Sequence, residues 1–214
     1  MRTRTLVLAL SLAPSLALPG AVRAQQSTLK RMGDALNAAA AARQAKKISS
    51  RYDVTFRKYT KRYFGPAFDW KYFKAQGFAE SGLDPNAKSW VGARGVMQLM
   101  PSTYHDIASH RRDFGSIDQP EWNIAAGIMH DRYLWELWAD KIPDDERHQF
   151  MFASYNAGEG TITRAAAVAR AKLGQTDWPN VERIAPSVRR WRYLETLGYV
   201  HRIDSTYVRL SGAP

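Results

Sequence analysis

The sequence predicts an all-α protein: one helical catalytic-sized domain behind a helical leader. Three observations predict it. Apolar residues recur at three- and four-residue spacing, strict apolar–polar alternation is almost absent, and Gly and Pro gather at the ends of the periodic segments. Residues 25 to about 62 read as one or two helices, with Leu29, Met32 and Leu36 at helical spacing and an alanine run at 38–42. This stretch is weakly hydrophobic and strongly basic, so it is expected to pack loosely. Gly65-Pro66 marks a boundary. Asp69 then caps a helix through Trp70, Tyr72, Phe73 and Phe78 to Glu80, stopped by Asp84-Pro85. A short helix starts at Ser102 and runs through Ile107; the stretch 110–122 is polar and loop-like. Asn123 opens a helix that places Ile124, Ile128 and Trp135 on one face. Pro143-Asp144-Asp145 is a turn and cap leading into Phe150 to Asn156, a helix ended by Gly158 and Gly160. Two more helices are expected, from Arg164 to Leu173 and from Arg189 to Ile203.

Residues 1–24 carry the pattern of an export signal. Arg2 and Arg4 precede an apolar run from Leu6 to Leu18, Pro19-Gly20 breaks it, and Ala24 offers a small residue at a cleavage position. The run is too short to cross a bilayer as a helix. The resulting layout is a signal peptide at 1–24, a basic helical segment at 25–64 and the main domain at 65–214, with an exported, periplasmic location. The chain has no cysteine, hence no disulfide and no thiol for lipid attachment. The net charge is +11. In an exported protein this excess points to an acidic wall or membrane surface rather than to nucleic acid. Arg43, Lys46, Lys47, Arg51, Arg57, Lys58, Lys61 and Arg62 concentrate it early in the chain, where they form either a solvated helix face or such a contact.

Glu80 is the residue most suited to chemistry. At about 100° per residue, Phe73, Gly77 and Glu80 share one helical stripe, which sets the carboxyl beside an aromatic ring and a glycine expected to leave open space. A carboxyl in an apolar pocket holds its proton to higher pH, as a general acid for glycoside cleavage must. The plain alternative is a buried ion pair with an arginine such as Arg94. No metal site is expected, because His105, His110, His130, His148 and His201 show no paired-ligand spacing. No thiolate or G-x-S-x-G nucleophile is present either, and no cofactor is expected.

Three blocks resemble the lytic murein transglycosylase family. The first runs from Glu80-Ser81 through Asp84-Pro85 and Ser89 to Gly92-Ala93-Arg94-Gly95-Val96-Met97-Gln98-Leu99-Met100-Pro101 and Thr103. The second is Ala153-Ser154-Tyr155-Asn156-Ala157-Gly158-Glu159-Gly160, and the third spans Glu195 to Ile203, with Asn123-Ile124 to Gly127 between the first two. The segment Pro143 to Asn156 is similar to the catalytic module of the membrane-bound F-type members, although the solute-binding-like domain that precedes it there has no counterpart in the short leader. The resemblance implies a lysozyme-like fold of the goose-type lysozyme and lytic transglycosylase kind. It makes Glu80 the catalytic acid and base, with Ser89, Gln98, Met100, Tyr155, Asn156, Glu195 and Tyr199 lining a sugar groove. The residue types agree: Gln98 both donates and accepts, and Tyr155 joins a hydroxyl to an apolar face. Trp90 and Trp122 lie near this groove and offer rings for sugars, with core packing as the alternative.

The implied reaction is cleavage of the bond between N-acetylmuramic acid and N-acetylglucosamine in peptidoglycan, closing a 1,6-anhydro ring. The implied partner is therefore the glycan strand, met by a monomer. Most glycosidases use two carboxylates; here no second one is obvious, Asp84 reading as a turn residue and Glu195 as the better spare acid. A well-placed second carboxylate would favour a goose-type lysozyme. A wall-binding or secretion-assembly factor that kept the fold without catalysis is the alternative from another class.

Overall fold

The computed structural model describes residues 27–37 and 50–212. The chain divides into two compact units, residues 1–47 and 48–214. In the first, residues 27–37 form helix α1. Its expected apolar stripe, Leu29, Met32 and Leu36, is exposed. The expected export signal and the alanine run lie outside the described residues.

The described residues of the second unit form eight α-helices. They are α2 (Asp53–Phe64), α3 (Lys71–Ser81), α4 (Pro101–Ser109), α5 (Pro120–Leu137), α6 (Asp144–Ala157), α7 (Glu159–Leu173), α8 (Trp178–Ile184) and α9 (Tyr193–Ser211). A 3₁₀ turn, Ala185–Ser187, follows α8. Among the described residues there is no strand, only the isolated bridges Lys88↔Arg94 and Arg94↔Leu99. Local chemistry fixes the starts. Asp69 Oδ1 accepts from the Lys71 amide at 3.0 Å, Pro101 and Pro120 occupy first-turn positions where no amide hydrogen is needed, and Asp177 accepts from the Asn180 amide at 2.8 Å. Asp144, Asp145 and Glu146 place negative charge on the first turn of α6, where the helix dipole favours it.

The core runs between α5 and α6. Ile124, Ile128, Phe150, Met151 and Phe152 are fully buried, joined by Phe73 from α3 and Val200 and Ile203 from α9. α3 packs on α9, and α2 on α5.

Several boundaries differ from the sequence reading. The main unit takes in α2, ahead of the Gly65-Pro66 break: Phe56 and Tyr59 are buried in the core, and Lys58 and Arg62 pair with Glu121 and Asp113. Part of the early basic charge is thus tied down on the domain. α3 ends one turn before Asp84-Pro85, at Gly82, whose left-handed φ of +67° lets its amide close the helix. α5 begins at Pro120, three residues ahead of Asn123. Gly160 sits within α7 rather than ending α6, α8 was not foreseen, and α9 starts later and runs on to Ser211.

Candidate active site

Glu80 lies in the last turn of α3, partly exposed, with its carboxyl in desolvated surroundings. The neighbouring Gly77 is not open space, as the sequence suggested. A Cβ there would stand 3.1 Å from Phe56, 3.2 Å from Leu83 and 3.3 Å from Met97, so the glycine lets three apolar side chains close in beneath the acid. The Arg94 pairing fails, because its guanidinium meets Asp118 at 3.5 Å. Glu80 instead accepts a 2.5 Å hydrogen bond on Oε1 from the Tyr199 hydroxyl of α9. Burial pushes the Glu80 carboxyl up to about 7; the Tyr199 bond and the positive charge of Arg202 hold it down, but less strongly.

The loop after α3 is shaped by backbone hydrogen bonds and one asparagine. Ser81 Oγ donates to the Val96 carbonyl at 2.9 Å, tying the end of α3 to the far side of the loop. Asn123 Oδ1 accepts from the Met97 amide at 2.8 Å, while Nδ2 donates to the carbonyls of Arg94 at 2.9 Å and Ile117 at 3.1 Å. All its strong donors and one acceptor are engaged, so Asn123 acts as a clamp rather than a helix opener. Gly95 has to be glycine: its φ is +75°, and a Cβ would stand 2.6 Å from the Asn123 amide.

The sequence-predicted residues divide into four groups. Tyr199 and Tyr155 join Glu80's surroundings directly. Tyr155 donates to the Met97 carbonyl at 2.8 Å, and burial with the Glu80 charge drives both phenols well above their usual range. Tyr199 is an interior residue, 2 % exposed. Ser89 and Gln98 help shape the loop. Ser89 Oγ accepts from the Ala93 amide at 2.9 Å, and Gln98 Nε2 donates to the carbonyls of Ala87 at 3.2 Å and Gly95 at 3.0 Å. With both amide hydrogens engaged, Gln98 can offer a ligand only its Oε1. Met100 is exposed just ahead of α4. Glu195 and Asn156 lie together on a depression of about 200 Å³ that Arg190, Trp191 and Arg192 also line. Glu195 pairs there with Arg192 at 2.9 Å. Trp90 is 93 % exposed, whereas Trp122 packs against Tyr59 and Phe114.

The profile of the transglycosylase SLT domain family matches residues 55–177, more than half of the chain. The chain belongs to that family. Among curated relatives of this SLT domain is the membrane-bound lytic murein transglycosylase F of Shewanella pealeana, 30 % identical over 72 % of the chain and 32 % of the relative. Among solved structures, the 70 kDa soluble lytic transglycosylase SLT70 of Escherichia coli superposes with a TM-score of 0.59 at 27 % identity, covering 77 % of this chain and 25 % of that one. Its complex with bulgecin A gives 0.61 at 26 % identity, again over 77 % and 25 %. The fold is thus the lysozyme-like one expected, and the chain spans a third or less of the length of these relatives.

Two polar residues of the SLT domain escaped the sequence reading. Asp131 of α5 and Gln76 of α3 are fully buried, and Gln76 Nε2 donates to Asp131 Oδ1 at 3.2 Å. A signal was present: Asn123, Gly127 and Asp131 recur every four residues, a polar and small stripe on a helix otherwise apolar on that side. Gly127 belongs to it because a Cβ there would stand 2.8 Å from the Met97 side chain. Among the described residues no cluster of His, Asp or Glu is arranged to hold a metal ion, and no helix is long and apolar enough to cross a membrane.

Proposed function

We propose that this SLT domain is a peptidoglycan lytic transglycosylase that cleaves the β-1,4 bond from N-acetylmuramic acid to N-acetylglucosamine, with Glu80 as acid and then base. The observation that carries the reading is the state of Glu80: a desolvated carboxyl without an ion pair among the described residues, pushed up to about 7 and held by Tyr199. Such a group is protonated in the resting site near neutral pH yet can still give its proton up.

In the reaction, Glu80 donates its proton to the oxygen leaving with N-acetylglucosamine. The acetamido carbonyl oxygen of the muramic acid attacks its own anomeric carbon as that bond breaks, so the substrate supplies the nucleophile. Glu80, now a carboxylate, takes the proton from the C6 hydroxyl. The C6 oxygen then attacks the anomeric carbon, the acetamido group is restored and a 1,6-anhydro ring closes. No water is consumed, and Glu80 ends protonated as it began. The Tyr199 bond steadies the carboxylate between the two proton transfers. Asn156, Glu195 and the Gln98 Oε1 are suited to meet the strand's hydroxyl and acetamido groups, and Ser89 and Met100 border the same loop.

Neither Asp84 nor Glu195 offers the free second carboxylate that would favour hydrolysis. Asp84 is exposed and accepts from the Asn86 amide at 2.9 Å, and Glu195 is held in its surface pair with Arg192. The relatives' descriptions as murein transglycosylases, and the neighbour's complex with bulgecin A, support the same substrate class. An exported, periplasmic protein follows from the pattern at 1–24.

Mass spectrometry of fragments released from purified peptidoglycan by the wild type and by Glu80→Gln tests the proposal. Anhydromuramyl ends, one water lighter than reducing ends and absent with the variant, are expected. Reducing ends would make the enzyme a lysozyme. Wall binding without fragments from either protein would leave a non-catalytic factor.

A further inference from the structure

Asp131 and Gln76 pose a hydrogen-bond problem that an ionised aspartate cannot solve. Gln76 donates to Asp131 Oδ1 at 3.2 Å, but Gln76 Oε1 and Asp131 Oδ2 are both buried without a partner. Both orphans are acceptors, and buried polar atoms of native proteins are rarely left so. A proton on Oδ2 would turn one orphan acceptor into the donor that the other lacks. Asp131 also has no ion pair among the described residues, so nothing compensates a negative charge at a fully buried position.

We propose that Asp131 works as a neutral carboxylic acid, its Oδ2 hydroxyl donating to Gln76 Oε1 in a two-bond acid–amide pair that positions Glu80. Gln76 is one turn before Glu80 on α3, about 6 Å along the helix axis. The pair therefore joins α3 to α5 one helical turn from the acid. The titratable groups coupled to Asp131 are Glu80 on α3, Tyr155 on α6 and Tyr199 on α9, and the Glu80 charge opposes its ionisation. The adjoining His130 is itself biased toward its neutral form by burial. Burial raises Asp131 well above the usual carboxylate range, in keeping with a proton retained while Glu80 titrates. The neutrality matters for the reaction proposed above, on which Asp131's positioning role rests. A second charge beside Glu80 would oppose the carboxylate that must form midway through turnover. A carboxyl that keeps its proton cannot act as a nucleophile or general base, so the buried acid nearest the site in chemistry is not the missing second carboxylate of a hydrolase.

The test begins with infrared spectroscopy of the full chain carrying ¹³C-labelled aspartate. A protonated-carboxyl C=O band that shifts with the label and persists at about pH 8.5, well above the titration of Glu80, is expected; its absence overturns the proposal. The labelled band requires no substitution and no activity, so it decides the state of Asp131 even if Glu80 is not the catalytic acid. A failure of that reading shows separately, as unchanged fragment release by Glu80→Gln. Asp131→Asn then tests the role. Its amide can reproduce both bonds to Gln76, so the alkaline limb of kcat/KM should stay within about 0.3 pH unit of wild type. Asp131→Leu and Gln76→Leu, which strand the partner's polar atoms, should lower kcat several-fold and Tm by several degrees, with Asn rescuing where Leu does not. An acid shift of that limb by about one unit or more in Asp131→Asn would show that a negative charge had been removed from beside Glu80, and would overturn the proposal.

Discussion

Lys74 and Glu80 sit six residues apart on α3, and the helix treats their charges in opposite ways. Lys74 is 2 % exposed, and its ammonium is hydrogen-bonded to Asp53 at the start of α2. Glu80 meets only a neutral hydroxyl directly, with Arg202 acting from a distance. A partner of opposite sign makes a buried charge part of the scaffold, joining two helices. Without such a partner, desolvation makes the charge exchangeable, and the proton becomes available for chemistry. One helix thus carries a paired, anchored charge near its start and a desolvated carboxyl without an ion pair among the described residues in its last turn.

The comparison breaks most severely at Glu80. Glu80→Gln keeps the shape and the Tyr199 contact but carries no transferable proton, and turnover should fall about 10³-fold or more. Its stability should move the other way. A carboxyl raised from 4.5 to about 7 on folding binds its proton more tightly in the native state. Native stability is therefore greatest below the unfolded value, falls as pH rises from 4.5 to about 7, and stays reduced above that. Glu80→Gln should match wild type in stability near pH 4 and exceed it near pH 8, by about 3 kcal/mol at most, and its Tm should follow. Equal Tm differences at both values would show that Glu80 is not desolvated.

At the other end the prediction inverts. Asp53→Ala leaves Lys74 buried without its counter-ion and should cost about 3 kcal/mol in denaturant unfolding. Fragment release per folded molecule should be unchanged. A loss of activity without a loss of stability would mean that the anchor belongs to the site.

The sequence carried more of this site than of its support. Glu80 at the end of an apolar helix, the glycine-rich loop and the order of the three blocks are local patterns, visible along the chain. Helix positions were legible for the same reason, with errors where a single residue decided the end, as at Gly82 and Pro120. The clamp by Asn123 was not legible, because its partners lie up to 29 residues away and are backbone groups, which carry no residue signature. Gln76 and Asp131 are 55 residues apart, and each read alone is an ordinary helical polar residue. Gly77 was misread because a glycine marks either a gap or a close approach, and only the positions of Phe56, Leu83 and Met97 distinguish them. α8 is seven residues long, too short for a period to show.

The smallest effect expected is also the one that most sharpens the contrast between anchor and donor. Tyr199→Phe removes one hydroxyl from the carboxyl and leaves the ring in the core. The hydroxyl donates to the charged form of Glu80, so its loss should raise the Glu80 pKa and move the alkaline limb of activity upward by about half to one pH unit. Turnover at neutral pH should fall only several-fold, because the proton is still present while the carboxylate formed midway is less well held. If the limb moves down instead, the hydroxyl favours the protonated acid, and the balance between burial and hydrogen bonding at Glu80 is the reverse of the one described. If Tyr199→Phe abolishes turnover with no shift, Tyr199 takes part in proton transfer itself, and the site has two working groups where α3 supplies one.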